Sequence, residues 1–235
     1  DSTDRNRTSP FAFTGNKFEF RSLGSSLSIS GPNTTLNAIV ANTLKQFADE
    51  LEKAKDFENS LHKLIRREIT EHWKIIFNGN GYDSSWVEEA QQRGLLNLKT
   101  LPDAMAEYIN QKNIKLFTDM GVYTQIEMES HYDIKLEKYC QVLNIEVETM
   151  LEMINKDILP AVFKYMNAIS DTVIKVKQAF PEAECSAEKI LLQKLDSHVN
   201  NLSKKADEIW IKHNEANKLT NIMECAKAYA NDILP

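Results

Sequence analysis

Residues 141–180 read QVLNIEVETMLEMINKDILPAVFKYMNAISDTVIKVKQAF. Within them Val147, Leu151, Ile154, Ile158, Val162, Tyr165, Ile169, Val173 and Val176 recur at steps of three or four, the spacing of one face of an α-helix. No glycine interrupts the stretch, and Pro160, which lacks a backbone N–H, is expected to kink the helix. From Ser186 onward Leu195, Val199, Leu202, Ala206, Ile209, Ala216, Leu219, Met223 and Ala226 continue the alternation, a narrow seam suited to a partner helix. Phe180-Pro181-Glu182-Ala183-Glu184 between them reads as the turn of an antiparallel helical hairpin.

The surrounding sequence agrees in part and then changes texture. Upstream, a helix from Thr124 to about Tyr139 would place Met128, Tyr132, Leu136 and Tyr139 on one face. All seven glycines fall at or before Gly121, so the first half is shorter-grained. There Leu36, Val40, Leu44, Phe47 and Leu51 form the stripe of a helix opened by Gly31-Pro32-Asn33, with Asn33 or the threonines after it as cap. Ser85-x-x-Glu88 reads as a capping box, and Gly94 as the left-handed residue ending that short helix. Ile75 to Tyr82 is a turn-rich connection.

Composition narrows the class of protein. Of 235 residues, 42% are hydrophobic and 26% charged, a balance that builds a core and fits neither a disordered tail nor a membrane span. No apolar run approaches the ~20 residues that cross a bilayer, and the opening DSTDRNRTSP has no signal-peptide core, so a cytoplasmic location is expected. The net charge of −6 argues against a nucleic-acid partner, because phosphate neutralisation needs a basic surface. Cys140, Cys185 and Cys225 have no CxxC spacing and read as reduced thiols. The chain opens without Met directly on a dense polar motif, which reads as a fragment of a longer protein.

That motif differs from the rest. Phe11-Ala12-Phe13-Thr14 and Lys17-Phe18-Glu19-Phe20-Arg21 are short aromatic runs separated by Gly15-Asn16, a two-residue hairpin signal. Period-two alternation on the second run puts Lys17, Glu19 and Arg21 on one face. A carboxylate with a cation two residues away on each side can hold a divalent metal while the cations hold anions that the metal also touches. Such a strand can equally be a solvated face, and spacing alone leaves both readings open.

The segment Asn6-Arg7-Thr8-Ser9 followed by Asn16-Lys17-Phe18-Glu19-Phe20-Arg21-Ser22-Leu23-Gly24-Ser25-Ser26 resembles the final catalytic motifs of the glutamine synthetases, in their type III form. Gly31-Pro32-Asn33, Ile76-Phe77-Asn78-Gly79-Asn80-Gly81-Tyr82, Arg93-Gly94-Leu95 and Asp157-Ile158-Leu159-Pro160-Ala161 resemble the carboxy-terminal region of the same branch. The resemblance implies a mostly α chain. A short β-hairpin within residues 1–56 would finish an α/β catalytic barrel, and residues 57–235 would form a helical domain with a long antiparallel pair. It implies Glu19 as a ligand of Mg²⁺ or Mn²⁺, Arg21 as the glutamate-binding residue, and Arg7 and Lys17 on the ATP phosphates, with Arg7 and Arg21 taking part in catalysis. The implied activity is ATP-dependent ligation of glutamate and ammonia to glutamine through γ-glutamyl phosphate, in nitrogen metabolism. The implied assembly is a homo-oligomer, a dodecamer of two stacked hexamers. The family's remaining metal-binding acids lie upstream of this sequence, so this chain alone is expected to be inactive. One departure stands out: where common branches carry a second arginine, this chain has Phe11-Ala12-Phe13. The rival expectation is a non-catalytic helical scaffold or oligomerisation protein whose hairpin is structural.

Other candidates are weaker. Gly79-Asn80-Gly81 lacks the third glycine of a dinucleotide loop and reads as a turn. None of His62, His72, His131, His198 and His213 has a Glu three residues before it, as a di-iron bundle would need, so they read as surface or packing residues. Met128, Met150, Met153 and Met223 are expected in the core, and Trp86 and Trp210 as packing anchors.

Overall fold

A computed structural model describes residues 11–13, 18–20, 24, 27–77, 79–81 and 83–234. They are mostly helical. The chain divides into two compact units, Asp1–Lys99 with Tyr108–Met128, and Thr100–Glu107 with Glu129–Pro235.

In the first unit, strands β1 (Phe11–Phe13) and β2 (Phe18–Phe20) pair antiparallel, with Phe11 opposite Phe20 and Ala12 opposite Glu19. The Gly15-Asn16 turn expected between them lies outside the described residues. Helix α1 (Ser30–Leu51) opens earlier than expected. The Ser28 hydroxyl accepts from the Ser30 amide at 3.2 Å, and the Asn33 amide already donates to the Ile29 carbonyl at 3.1 Å, so neither Asn33 nor the threonines cap it. Pro32 fits that first turn because its missing N–H would be unpaired there anyway. The expected apolar stripe is not the buried face: Leu44 is 60% exposed, and the buried residue of α1 is Ala38.

Helix α2 (Phe57–Glu71) is capped by the Asp56 carboxylate, which accepts from the Asn59 amide at 3.1 Å. The guanidinium of Arg67 joins it to α1 by donating to both oxygens of Glu50 at 3.0 and 2.9 Å. Both side chains are well exposed, so this pair fixes register more than it stabilises. Helix α3 (Ser84–Gln92) is capped by Asp83, whose carboxylate accepts from the Ser85 amide at 2.9 Å. The capping box expected at Ser85 is thereby displaced, since an Asp just upstream already satisfies that amide.

Gly94 ends α3 as expected, with φ at +72°. Its amide donates to Gln91 and that of Leu95 to Ala90, both at 2.9 Å, the paired bonds of a Schellman cap. Alanine here meets no atom but must adopt left-handed backbone. Gly94→Ala is expected to lower the unfolding free energy by about 1–2 kcal/mol in urea titrations followed by circular dichroism.

Helix α4 (Leu101–Tyr108) belongs to the second unit in all but its last residue. Helix α5 (Gln111–Asp119) returns to the first and supplies Ile114 and Phe117 to a core with Ala38 and Met128, flanked by Tyr108 and Tyr123. The rings of Phe117 and Tyr123 tilt against each other with centroids 5.4 Å apart. Helix α6 (Gln125–Met153) opens on a capping box. The Glu127 carboxylate accepts from the Thr124 amide at 2.8 Å, and the Thr124 hydroxyl accepts from the Glu127 amide at 3.3 Å.

The second unit takes most of α6, which continues through Tyr139, where the sequence had suggested an end, to Met153. Leu136, Cys140, Leu143, Val147 and Leu151 are buried along one of its faces. A π turn, Ile154–Ile158, leads directly into α7 (Leu159–Ala179). Just before Pro160, the Leu159 amide reaches back in this turn to the Ile154 carbonyl. The wider turn takes up one extra residue before Pro160, while Val162, Ile169, Val173 and Val176 keep their expected inward places. Leu159 and Met166 take the inward places expected of Ile158 and Tyr165, which are 40% and 53% exposed.

Helix α8 (Ser186–Ala216) packs on α7 through the expected turn, with Cys185 in left-handed conformation at its start. The expected seam stops at Ala216. After it the chain turns, and α9 (Ile222–Ala228) is capped by Asn221, whose side-chain oxygen accepts from the amides of Met223 at 2.9 Å and Glu224 at 3.1 Å. A second π turn, Tyr229–Ile233, comes next and packs on α8. Met150 and Met153, expected in the core, are exposed, because they lie off the face that Val147 and Leu151 bury. Among the described residues no helix is long and apolar enough to cross a membrane.

Candidate functional site

Of the four expected site residues, the backbone of Glu19 lies in β2 opposite Ala12. Arg7, Lys17 and Arg21 lie outside the described residues. Among the described residues no three His, Cys, Asp or Glu side chains converge as a metal site would require.

Near the Ile75–Gly81 connection, the Arg93 guanidinium donates to the carbonyls of Lys74 at 3.2 Å and Ile76 at 2.9 Å, and pairs with Glu89. It also lies over the Trp86 ring, 5.3 Å from its centroid, while Phe77 stacks on the same indole at 3.9 Å. Trp86 is thus the packing anchor expected of it. The clasp uses the donor fork of an arginine to hold carbonyls that no helix or strand satisfies.

The polar centre of the second unit was not legible as such in the sequence. His213 is buried and Tyr229 wholly enclosed. The Tyr229 hydroxyl lies 3.1 Å from His213 Nδ1 and donates to Asn217 Oδ1 at 2.9 Å. The Asn217 amide nitrogen donates to Asn144 Oδ1 at 2.9 Å and lies 3.2 Å from His213 Nε2. The hydrogens balance with the imidazole carrying one, on Nδ1. That N–H donates to the Tyr229 oxygen, Tyr229 donates to Asn217, and the two hydrogens of the Asn217 amide go to Asn144 and His213. Glu148 stands 3.8 Å from Nε2 at the rim. Burial is the main reason the Tyr229 hydroxyl is pushed up to about 12, so it serves as a neutral donor. Among the described side chains no buried polar atom is left without a partner.

The network braces α6, α8 and the second π turn, and its groups satisfy one another rather than facing a ligand. A shallow groove beside it is lined by Cys140, Gln141, Asn144, Ile145 and Asn217. His213 fits the expectation of a packing histidine, whereas Trp210 at the same end of α8 is 52% exposed and does not anchor the core.

Residues 60–177 match the family model of the glutamine synthetase C-terminal domain. A protein of Dictyostelium discoideum named type-3 glutamine synthetase is 40% identical over 176 residues, which are 74% of this chain and 24% of its own length. Proteins named glutamine synthetase from Butyrivibrio fibrisolvens and Bacteroides fragilis align with the whole chain at 38% and 30% identity, over 34% and 33% of their own lengths. The chain thus spans between a quarter and a third of these relatives. By the match over half its residues, together with these relatives, the chain belongs to the glutamine synthetase C-terminal domain family.

Proposed function

We propose that this chain is the carboxy-terminal part of a type III enzyme that joins ammonia to glutamate at the expense of ATP. The observation that carries the reading is the family match over residues 60–177, supported by relatives aligned through the motif at residues 6–26. In this reading residues 1–56 complete an α/β catalytic barrel and residues 57–235 form its helical domain. Glu19 holds one Mg²⁺ or Mn²⁺ through a hard carboxylate oxygen. Arg21 binds the glutamate carboxylate, and Arg7 and Lys17 bind the ATP phosphates, where a guanidinium gives bidentate recognition and an ammonium a point charge.

The bound metal would supply charge neutralisation at the phosphates. The cationic side chains of Arg7 and Lys17 act in the same sense, steadying the γ-phosphoryl group as it moves to the glutamate side chain, and ammonia then displaces phosphate to give glutamine. The assembled enzyme is a cytoplasmic homo-oligomer, a dodecamer, with glutamate, ammonia and ATP as its partners and neither nucleic acid nor membrane among them. The isolated chain is inactive, because one carboxylate cannot hold the metal set.

The test is γ-glutamyl hydroxamate formation by the full-length protein containing this chain, beside its Glu19→Ala variant, with Mg²⁺ and with Mn²⁺. The expected result is activity that requires ATP, glutamate and metal and falls more than about a hundredfold in the variant. Activity untouched by the substitution would keep the reaction and remove Glu19 from the site. A folded but silent wild type would favour a non-catalytic helical scaffold.

A further inference from the structure

Cys140 on α6 and Cys225 on α9 are both buried and both free. The Cys140 sulfur approaches the Ile222 carbonyl at 4.0 Å, and Ile222 stands one helical turn before Cys225 on the same side of α9. After burial, Cys225 is the next cause that raises the Cys140 thiol, and after burial both cysteines raise the Tyr229 hydroxyl, as groups close to one another do. Cys185 stands apart from them, at the turn before α8.

We propose that Cys140 and Cys225 form an oxidisable dithiol whose disulfide fastens α9 to α6. Peroxide is the oxidant. One thiol attacks the O–O bond to give a sulfenic acid and water. The second thiol then displaces the sulfenic oxygen as a further water, forming the S–S bond, so two thiols are oxidised and one peroxide is reduced.

The surroundings set when this happens. Burial is the main cause that pushes the Cys140 thiol up to about 12, so little thiolate exists while α9 is docked. Helix α9 has seven residues, few enough to lift without unfolding α6, and lifting it exposes both sulfurs to water and oxidant. On redocking the sulfenic acid meets its partner, and the link records that the helix had opened. The bond closes a long loop that includes the whole α7–α8 hairpin, so the oxidised form resists unfolding.

The test treats the purified protein with hydrogen peroxide, blocks remaining thiols, and maps peptides with and without dithiothreitol. The expected map joins the Cys140 and Cys225 peptides in one species lighter by two hydrogen atoms, with Cys185 still blocked as a free thiol. The melting midpoint rises by about 5 to 15 °C and returns on reduction. Cys225→Ser forms no such link and gains no such rise. Recovery of Cys140 and Cys225 as free thiols, as separate sulfinic acids, or joined to Cys185 overturns the proposal, and the wild-type map decides this even where the variant folds poorly.

Discussion

Tyr229→Ala is expected to lower the unfolding free energy by about 3–5 kcal/mol, and Tyr229→Phe by about 1–3 kcal/mol. Alanine empties a site with no solvent exposure, so the lost apolar contact and the remaining cavity add together. Phenylalanine keeps the ring and removes one oxygen. It leaves His213 Nδ1 without an acceptor and Asn217 Oδ1 without its donor at 2.9 Å. Urea unfolding of the two variants beside the wild type separates the packing and polar contributions. A Phe variant as stable as the wild type would mean that the hydroxyl contributes nothing, and equal losses in the two variants would mean that the ring contributes nothing.

The same hydroxyl gives an alkaline signature. In the unfolded chain a tyrosine ionises near 10, and in the folded protein Tyr229 holds its proton to about 12. The folded form therefore binds more protons between these values. The stability this contributes is fully present below about pH 10 and is lost as pH rises through about 12. Cys140, also pushed up to about 12, loses its share over a wider range that begins near pH 9. Tyr229→Phe should flatten the upper part of this decline and leave the Cys140 part, which is measurable as unfolding midpoint against pH.

Phe117→Ala is expected to lower the stability of the first unit by about 3–5 kcal/mol. Phe117 is 3% exposed and lies in the small core shared with Ala38, Ile114 and Met128. Its ring also rests against Tyr123, so the variant loses an aromatic pair as well as volume. Because so few residues make up this core, neighbours offer little to refill the gap. Near-ultraviolet circular dichroism from Tyr108 and Tyr123 should collapse along with thermal stability. A loss below about 1 kcal/mol would mean that this core does not hold the unit together.

The fold was legible where apolar spacing met a partner and misleading where it did not. Val199, Leu202 and Ala206 follow their period into the seam that α7 and α8 share. The stripe of α1 has an equally regular period, yet Leu44 remains exposed. Periodicity states which face could be buried, and a second surface decides whether it is. His213 occupied a seam position all along, four residues after Ile209 and three before Ala216, and its polarity concealed it. The cue was the set of Asn144, Asn217 and Tyr229 at matching positions on neighbouring elements, visible only once those elements are assembled. Asp83 displaced the expected cap at Ser85 for a local reason: two acceptors competed for one amide, and the upstream carboxylate won. The candidate catalytic residues were legible through resemblance alone, because their spacing on a short strand suits a solvated face equally well.

The π turn at Ile154–Ile158 makes the helical arm after it sensitive to chain length. Each residue in a regular helix advances the chain by roughly 100° about its axis. A single residue gained or lost between Leu151 and Val162 would therefore turn the entire α7 arm to present different side chains to α8. In this region the placement of a one-residue gap in an alignment of relatives carries more structural meaning than the identities of the residues beside it.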